Sequence, residues 1–81
     1  MDRKAFDQEM MKSRAMIEQG KDPDYWEGYL RGLKRRFFGE AFGTDREHEL
    51  WLNLADDPDH QKAEQGRGYR DALLLRVVRP S

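Results

Sequence analysis

The sequence predicts an all-α fold, a compact four-helix bundle-like single domain, and three observations carry that expectation. Only four of the 81 residues are β-branched (Ile17, Thr44, Val77 and Val78), too few to line the strands of a sheet. The apolar residues recur at spacings of three and four, the period of one helix face. Helix start and stop residues fall between those periodic stretches. At 81 residues the chain makes one domain, near the size where an apolar core is only just sufficient. Charged residues make up 38% of it, against 37% hydrophobic. Nine aromatics and eight leucines concentrate the apolar supply into clusters that a disordered chain would lack.

The first helix is expected over residues 2–19. Phe6, Met10, Ser13 and Ile17 make its stripe, with Met16 beside it, and Gly20 suits the left-handed position that closes a helix. Asp22-Pro23-Asp24 then opens a second helix over 23–38. Asp22 is expected to cap it, and Pro23 fits a first turn whose N–H groups need no partner in the helix. Trp26, Leu30, Leu33 and Phe37 fall on one face, and Gly39 is the expected stop. Thr44-Asp45-Arg46-Glu47 reads as a capping box for a third helix over 45–55. His48, Trp51, Leu52 and Ala55, flanked by Leu50 and Leu54, give it a wide apolar arc, so it is expected to be the most buried of the four. Asp57-Pro58-Asp59 repeats the earlier start signal and opens a fourth helix over 58–78, with Asp57 as its cap. Gly66 and Gly68 are expected to weaken its first half, since each helical glycine costs about 1 kcal/mol relative to alanine.

Gly28-Tyr29-Leu30-Arg31-Gly32-Leu33 has a partial echo in Gly68-Tyr69-Arg70-Asp71-Ala72-Leu73. Small residues four apart on two helices let backbones come close. The favoured explanation of the echo is a shared packing device rather than a duplicated binding unit.

The net charge is -1, but the charge is divided along the chain. Residues 28–39 carry Arg31, Lys34, Arg35 and Arg36 and no acid, whereas residues 40–59 carry seven acids and one arginine. A whole-molecule basic footprint for nucleic acid is therefore missing, leaving one basic and one acidic patch. With no cysteine, disulfides and thiolate metal sites are excluded, and a cytoplasmic location is the default. No apolar run reaches the roughly 20 residues of a membrane span. The opening Met1-Asp2-Arg3-Lys4 is followed by no apolar region, so a secretory signal is not expected.

Chemistry-bearing patterns are few. Asp45/His48 and Asp57/His60 each place an acid three before a histidine, but only two histidines exist and no further ligands stand out, so no metal or other cofactor is expected. Ser13 and Ser81 have no local base, and no nucleophile–base–orienter set emerges, so no catalytic residue is assigned and the chain is not expected to be an enzyme. A bundle of this size is also expected to offer little volume for a ligand pocket. Gly66-Arg67-Gly68-Tyr69-Arg70 is similar to a single RNA-binding arginine–glycine element, one copy and not a tract.

Two binding surfaces remain. Leu73 to Val78 is apolar nearly all round, which nominates Leu74, Leu75 and Val78 as a partner contact. Arg31, Lys34 and Arg35, extended by Arg67 and Arg70, nominate a charged contact surface. The acids that begin the third and fourth helices speak against a major-groove reader. The expectation is a non-catalytic module that binds a protein partner or a second copy of itself. A nucleic-acid backbone binder using the basic face is the second reading, and a homodimeric structural or adaptor protein the third. Size, helicity and divided charge are similar in kind to small phage or plasmid proteins that block host nucleic-acid machines, anti-CRISPR proteins among them. That likeness is one of type, not of motif, and it implies an inhibitor or regulator.

Overall fold

The computed structural model describes residues 2–74. Four α-helices form within that range: α1 (Arg3–Glu18), α2 (Pro23–Phe38), α3 (Asp45–Asn53) and α4 (His60–Leu74). Short 3₁₀ turns over Gly39–Ala41 and Leu54–Asp56 follow α2 and α3. The expected order and type of every element hold. Residues 75–78 of the expected fourth helix lie outside the described residues.

Local chemistry sets most of the boundaries. At the end of α1, Gly20 takes φ +73°. Its N–H donates to the Ile17 carbonyl and that of Lys21 donates to the Met16 carbonyl, both at 3.0 Å, which satisfies carbonyls that the helix leaves free. Gly39 ends α2 at φ +64°. The capping box of α3 is complete. Glu47 N–H donates to the Thr44 hydroxyl at 3.1 Å, and Thr44 N–H donates to the Glu47 carboxylate at 2.9 Å.

Two caps differ from expectation. Asp22 makes no side-chain cap and adopts φ 48°. The chain leaves the glycine turn so tightly that this residue must take a left-handed conformation, one that aspartate tolerates better than most side chains. In the second Asp-Pro-Asp, the cap is Asp59 rather than Asp57. The Asp59 carboxylate accepts from Gln61 and Lys62 N–H at 2.9 and 3.2 Å, while Asp57 accepts from Asp59 N–H at 2.8 Å. Asp57 shapes the turn and α4 begins two residues later than expected.

Helix α2 is the central element. On one side it packs antiparallel to α1. Phe6 stacks on Phe37 with ring centroids 4.3 Å apart, and farther along Tyr29 donates a hydrogen bond to the Glu9 carboxylate at 3.1 Å. Ser13, fully buried, donates to its own helix at the Glu9 carbonyl, 2.8 Å away, so its hydroxyl costs little in an apolar stripe.

On the other side α2 packs parallel to α4. Asp24 accepts from Gln61 at 3.2 Å, Gly28 meets Gln65, Gly32 meets Tyr69, and Arg36 donates to the Ala72 and Leu73 carbonyls at 3.3 and 3.5 Å. Those pairs advance together along both helices. The echo noted in the sequence is the two sides of this crossing. The Gln65 carbonyl oxygen occupies the place of a Cβ on Gly28, and the Tyr25 carbonyl oxygen occupies the place of a Cβ on Gly68. Gly28 of α2 and Gly68 of α4 thus each meet the residue three before the other, a reciprocal arrangement of the kind that paired Cα–H···O contacts make at close helix interfaces. Gly66 is just as closely approached, by the Ala55 nitrogen and the Leu54 carbonyl carbon. Both α4 glycines are buried packing positions rather than points of weakness.

The most buried apolar side chains, Leu33, Tyr69 and Ala72, lie in or beside this crossing. Helix α3, by contrast, contains no buried residue, correcting the expectation that it would be the most buried. It spans nine residues and packs on α4 through Trp51 and His48, which reach Tyr69, while Leu50 is exposed.

Candidate functional site

The α1–α2 pair leaves an open groove of about 470 Å³, a volume in the range of small-ligand sites. This corrects the expectation of little pocket volume. Phe6 and Met10 form its floor, and both are buried. Met11 and Phe38 form its walls and are 70% and 46% exposed. Sequence position explains the exposure. Met11 follows Met10, and adjacent helical residues point about 100° apart, so only one can lie on the buried stripe. The same holds for Phe37 and Phe38. Phe37 takes the stack on Phe6, and Phe38 meets the edge of Phe6 at 5.6 Å while keeping its outer face in solvent.

Charge rims the groove. Arg3, Arg14 and Lys34 border it with one acid, Asp7. Arg3 Nε pairs with Asp7 at 3.2 Å. Arg14 and Lys34 have no carboxylate partner among the described residues. Lys34 lies over the Phe42 ring at 5.8 Å. None of Met11, Phe38 or Arg14 was nominated by the sequence. Two consecutive large apolar residues on an amphipathic helix were the available signal.

The basic face of α2 is built differently from its sequence reading. Arg35 is an inward group, its side chain only 12% exposed. Its guanidinium donates to the Gly43 carbonyl and to the Asp45 carboxylate, each at 3.1 Å. Arg31 lies over Trp51 at 4.9 Å and over Phe42 at 5.2 Å, with Glu47 at 3.8 Å. Together they bind the start of α3 to α2 and neutralise its acids. A second hollow of about 250 Å³ lies beside them, bordered by Lys34, Leu30 and Glu27. Arg67 and Arg70 sit on the outer side of α4. Arg67 pairs with Glu64 at 3.1 Å, and both arginines are exposed. They do not join Arg31 and Arg35, whose groups are turned toward α3. Leu74 is 66% exposed. Leu75 and Val78 lie outside the described residues.

Three phenols are held protonated by their surroundings. Burial is the main cause in each. Burial, with Asp71 accepting at 2.7 Å, pushes the Tyr25 hydroxyl well above its ordinary range. Burial and the Glu9 carboxylate do the same for Tyr29. Burial raises Tyr69 against the opposing pull of Arg35 and Arg31, and its hydroxyl shares a 2.7 Å hydrogen bond with His48 Nδ1. That bond and the Asp57 turn occupy groups of both Asp-to-His pairs. No group of three or more metal-ligating side chains is placed to hold an ion among the described residues, and no helix there is long and apolar enough to cross a membrane. Comparison with protein-family models, curated proteins and solved structures returns no match to this chain.

Proposed function

We propose that this chain is a non-catalytic protein-binding module that engages its partner through the α1–α2 groove. The observation that carries this reading is the exposure of Met11 and Phe38 over an apolar floor. Exposed aromatic and methionine side chains that meet in a concave surface are the usual content of protein-recognition sites. Leu74, exposed on α4, is a second apolar contact within the same reading. A module of this kind acts by occupying a partner's surface, which is how an inhibitor or regulator of a larger machine works. The arginines nominated for nucleic-acid contact weigh the other way. Arg35 is committed to α3, and Arg31 is stacked between two rings, so the phosphate-binding capacity of α2 is reduced.

The test pairs two measurements. Fluorescence anisotropy with labelled DNA and RNA, single- and double-stranded, is run at about 50 and 200 mM salt. Crosslinked capture from a cell extract is run with the wild-type chain, with Phe38→Glu and with Leu74→Glu. The expected result is no nucleic-acid binding at low salt and a protein partner lost with Phe38→Glu. Micromolar nucleic-acid binding that falls steeply with salt and survives Phe38→Glu would overturn the reading.

A further inference from the structure

We infer that the occupant of the α1–α2 groove is an acidic amphipathic helix of a partner protein, an assignment that rests on the protein-binding reading above. Shape is the first argument. From Arg3 to Arg14 the groove follows one face of α1 at spacings of three and four. Eleven residues at the helical rise give a length of about 16 Å, which accommodates two to three turns of a helix lying along it. Helix-in-groove recognition needs an apolar lining to receive residues at i, i+3, i+4 and i+7, and Phe6 and Met10 on the floor with Met11 and Phe38 on the walls supply it. Two of the four are methionines, and methionine adapts its shape to what it receives.

Charge complementarity selects the partner. Asp7 is taken up by Arg3. That leaves Arg14 on the α1 side and Lys34 on the α2 side without a carboxylate partner among the described residues, one on each bank of the groove. A helix lying between them is flanked by cations on both sides, so glutamates or aspartates bordering its apolar stripe would each meet one. The chain's own residues 75–81 carry Arg76 and Arg79 and no acid, so they do not complement the rim. A second copy offers an acidic α3 with Leu50 exposed, but joining α3 of one copy to the groove of another is a head-to-tail contact that continues from copy to copy instead of closing.

The experiment uses the full chain and three labelled synthetic peptides of about 16 residues, the length that spans the groove with short overhangs. The first has leucines at i, i+3, i+4 and i+7 bordered by glutamates. The second keeps the leucines and replaces every glutamate with lysine. The third is the first peptide scrambled. Binding is followed by anisotropy, and self-association by sedimentation. The expected result is preference for the acidic peptide by about tenfold or more, the factor that a modest free-energy difference produces. Met11→Glu and Phe38→Glu should each remove that binding, and Arg14→Glu with Lys34→Glu should shift preference to the lysine peptide. Met11 and Phe38 are exposed, so circular dichroism should show all variants folded, and loss seen in both single variants excludes an accident of folding. Equal binding of the acidic and basic peptides, or no binding of either, overturns the assignment of an acidic helix. Concentration-dependent self-association abolished by Phe38→Glu overturns it in favour of a second copy. If peptides fail while a crosslinked partner is still lost with Phe38→Glu, the occupant is wrong and the protein-binding reading stands.

Discussion

Substituting Gly68 with alanine should destabilise the chain even though alanine is the better helix former. The added methyl would overlap the Tyr25 carbonyl oxygen and come 2.8 Å from the Tyr29 nitrogen. Both atoms are backbone, so no rotamer change relieves the clash, and α2 must move away from α4. That movement loosens Leu33, Tyr69 and Ala72, which are 0%, 2% and 0% exposed, and it lengthens the reciprocal contact at Gly28. Overpacking of this kind costs about 1–3 kcal/mol. The helix-propensity gain on replacing glycine is about 0.8–1.0 kcal/mol. Because the clash is with backbone and touches the tightest part of the core, the cost belongs at the upper end of its range, leaving a net loss of about 2 kcal/mol. For a domain of this size that is a fall in Tm of roughly 8–16 °C. Thermal and urea unfolding followed by far-UV circular dichroism measures both. Gly28→Ala should behave alike, and the double variant should cost less than the two singles together, since the first substitution already opens the crossing. A Gly68→Ala chain with unchanged or raised Tm would refute the close crossing.

Other consequences follow from the same contacts. Arg35→Ala removes hydrogen bonds to the Gly43 carbonyl and the Asp45 carboxylate and should cost about 1.5–3 kcal/mol, whereas Arg67→Ala, on an exposed pair, should cost less than about 0.5 kcal/mol; urea midpoints distinguish the two. Thr44→Ala opens the capping box of α3 and should lower stability by about 1 kcal/mol in the same assay. The phenols of Tyr25, Tyr29 and Tyr69 are raised in the folded chain above an unfolded value of 10.0. Below that value the unfolded and folded states bind the same protons. Above it the unfolded state releases phenol protons that the folded state keeps, so stability falls as pH rises past 10.0. Phenolate absorbance should therefore appear together with the loss of helical circular dichroism, and three phenols ionising near pH 10 in a chain still folded would contradict their burial and pairing.

The sequence carried the elements because their boundaries are local chemistry. Gly20, Gly39 and the Thr44–Glu47 box each act within a few residues of themselves, and all three behave as expected. The Gly28/Gly68 echo was legible as a packing device, since small residues at that spacing have few other uses in a small core. Its parallel register was not, because a pattern on one helix does not say which way its neighbour runs. The same limit misplaced α3. A wide apolar arc shows that a helix can be buried, but nine residues resting on α4 leave Trp51 half-covered and Leu50 outside. Asp22 and Asp57 share one motif, yet neither caps its helix, because the turn before each fixes where the carboxylate can reach. Among the candidate site residues, Arg31 and Arg35 read as a surface because their partners, Phe42, Asp45 and Trp51, are brought to them only by the fold. Met11 and Phe38 were passed over for the converse reason. Each stands beside a core residue of the same type, and only the packing decides which of the two is left outside.

The most direct test of the groove as the binding surface is a methyl-resolved NMR titration with methionine labelled at its methyl carbon. The chain has four methionines. Met10 and Met11 line the groove, and Met16, on the same helix, does not. Adding the acidic amphipathic peptide should shift the Met10 and Met11 methyl signals together, in proportion to the fraction bound, and leave Met16 in place. Binding that moves Met16, or that moves the Trp51 indole while Met10 and Met11 stay fixed, would place the partner elsewhere and contradict the account.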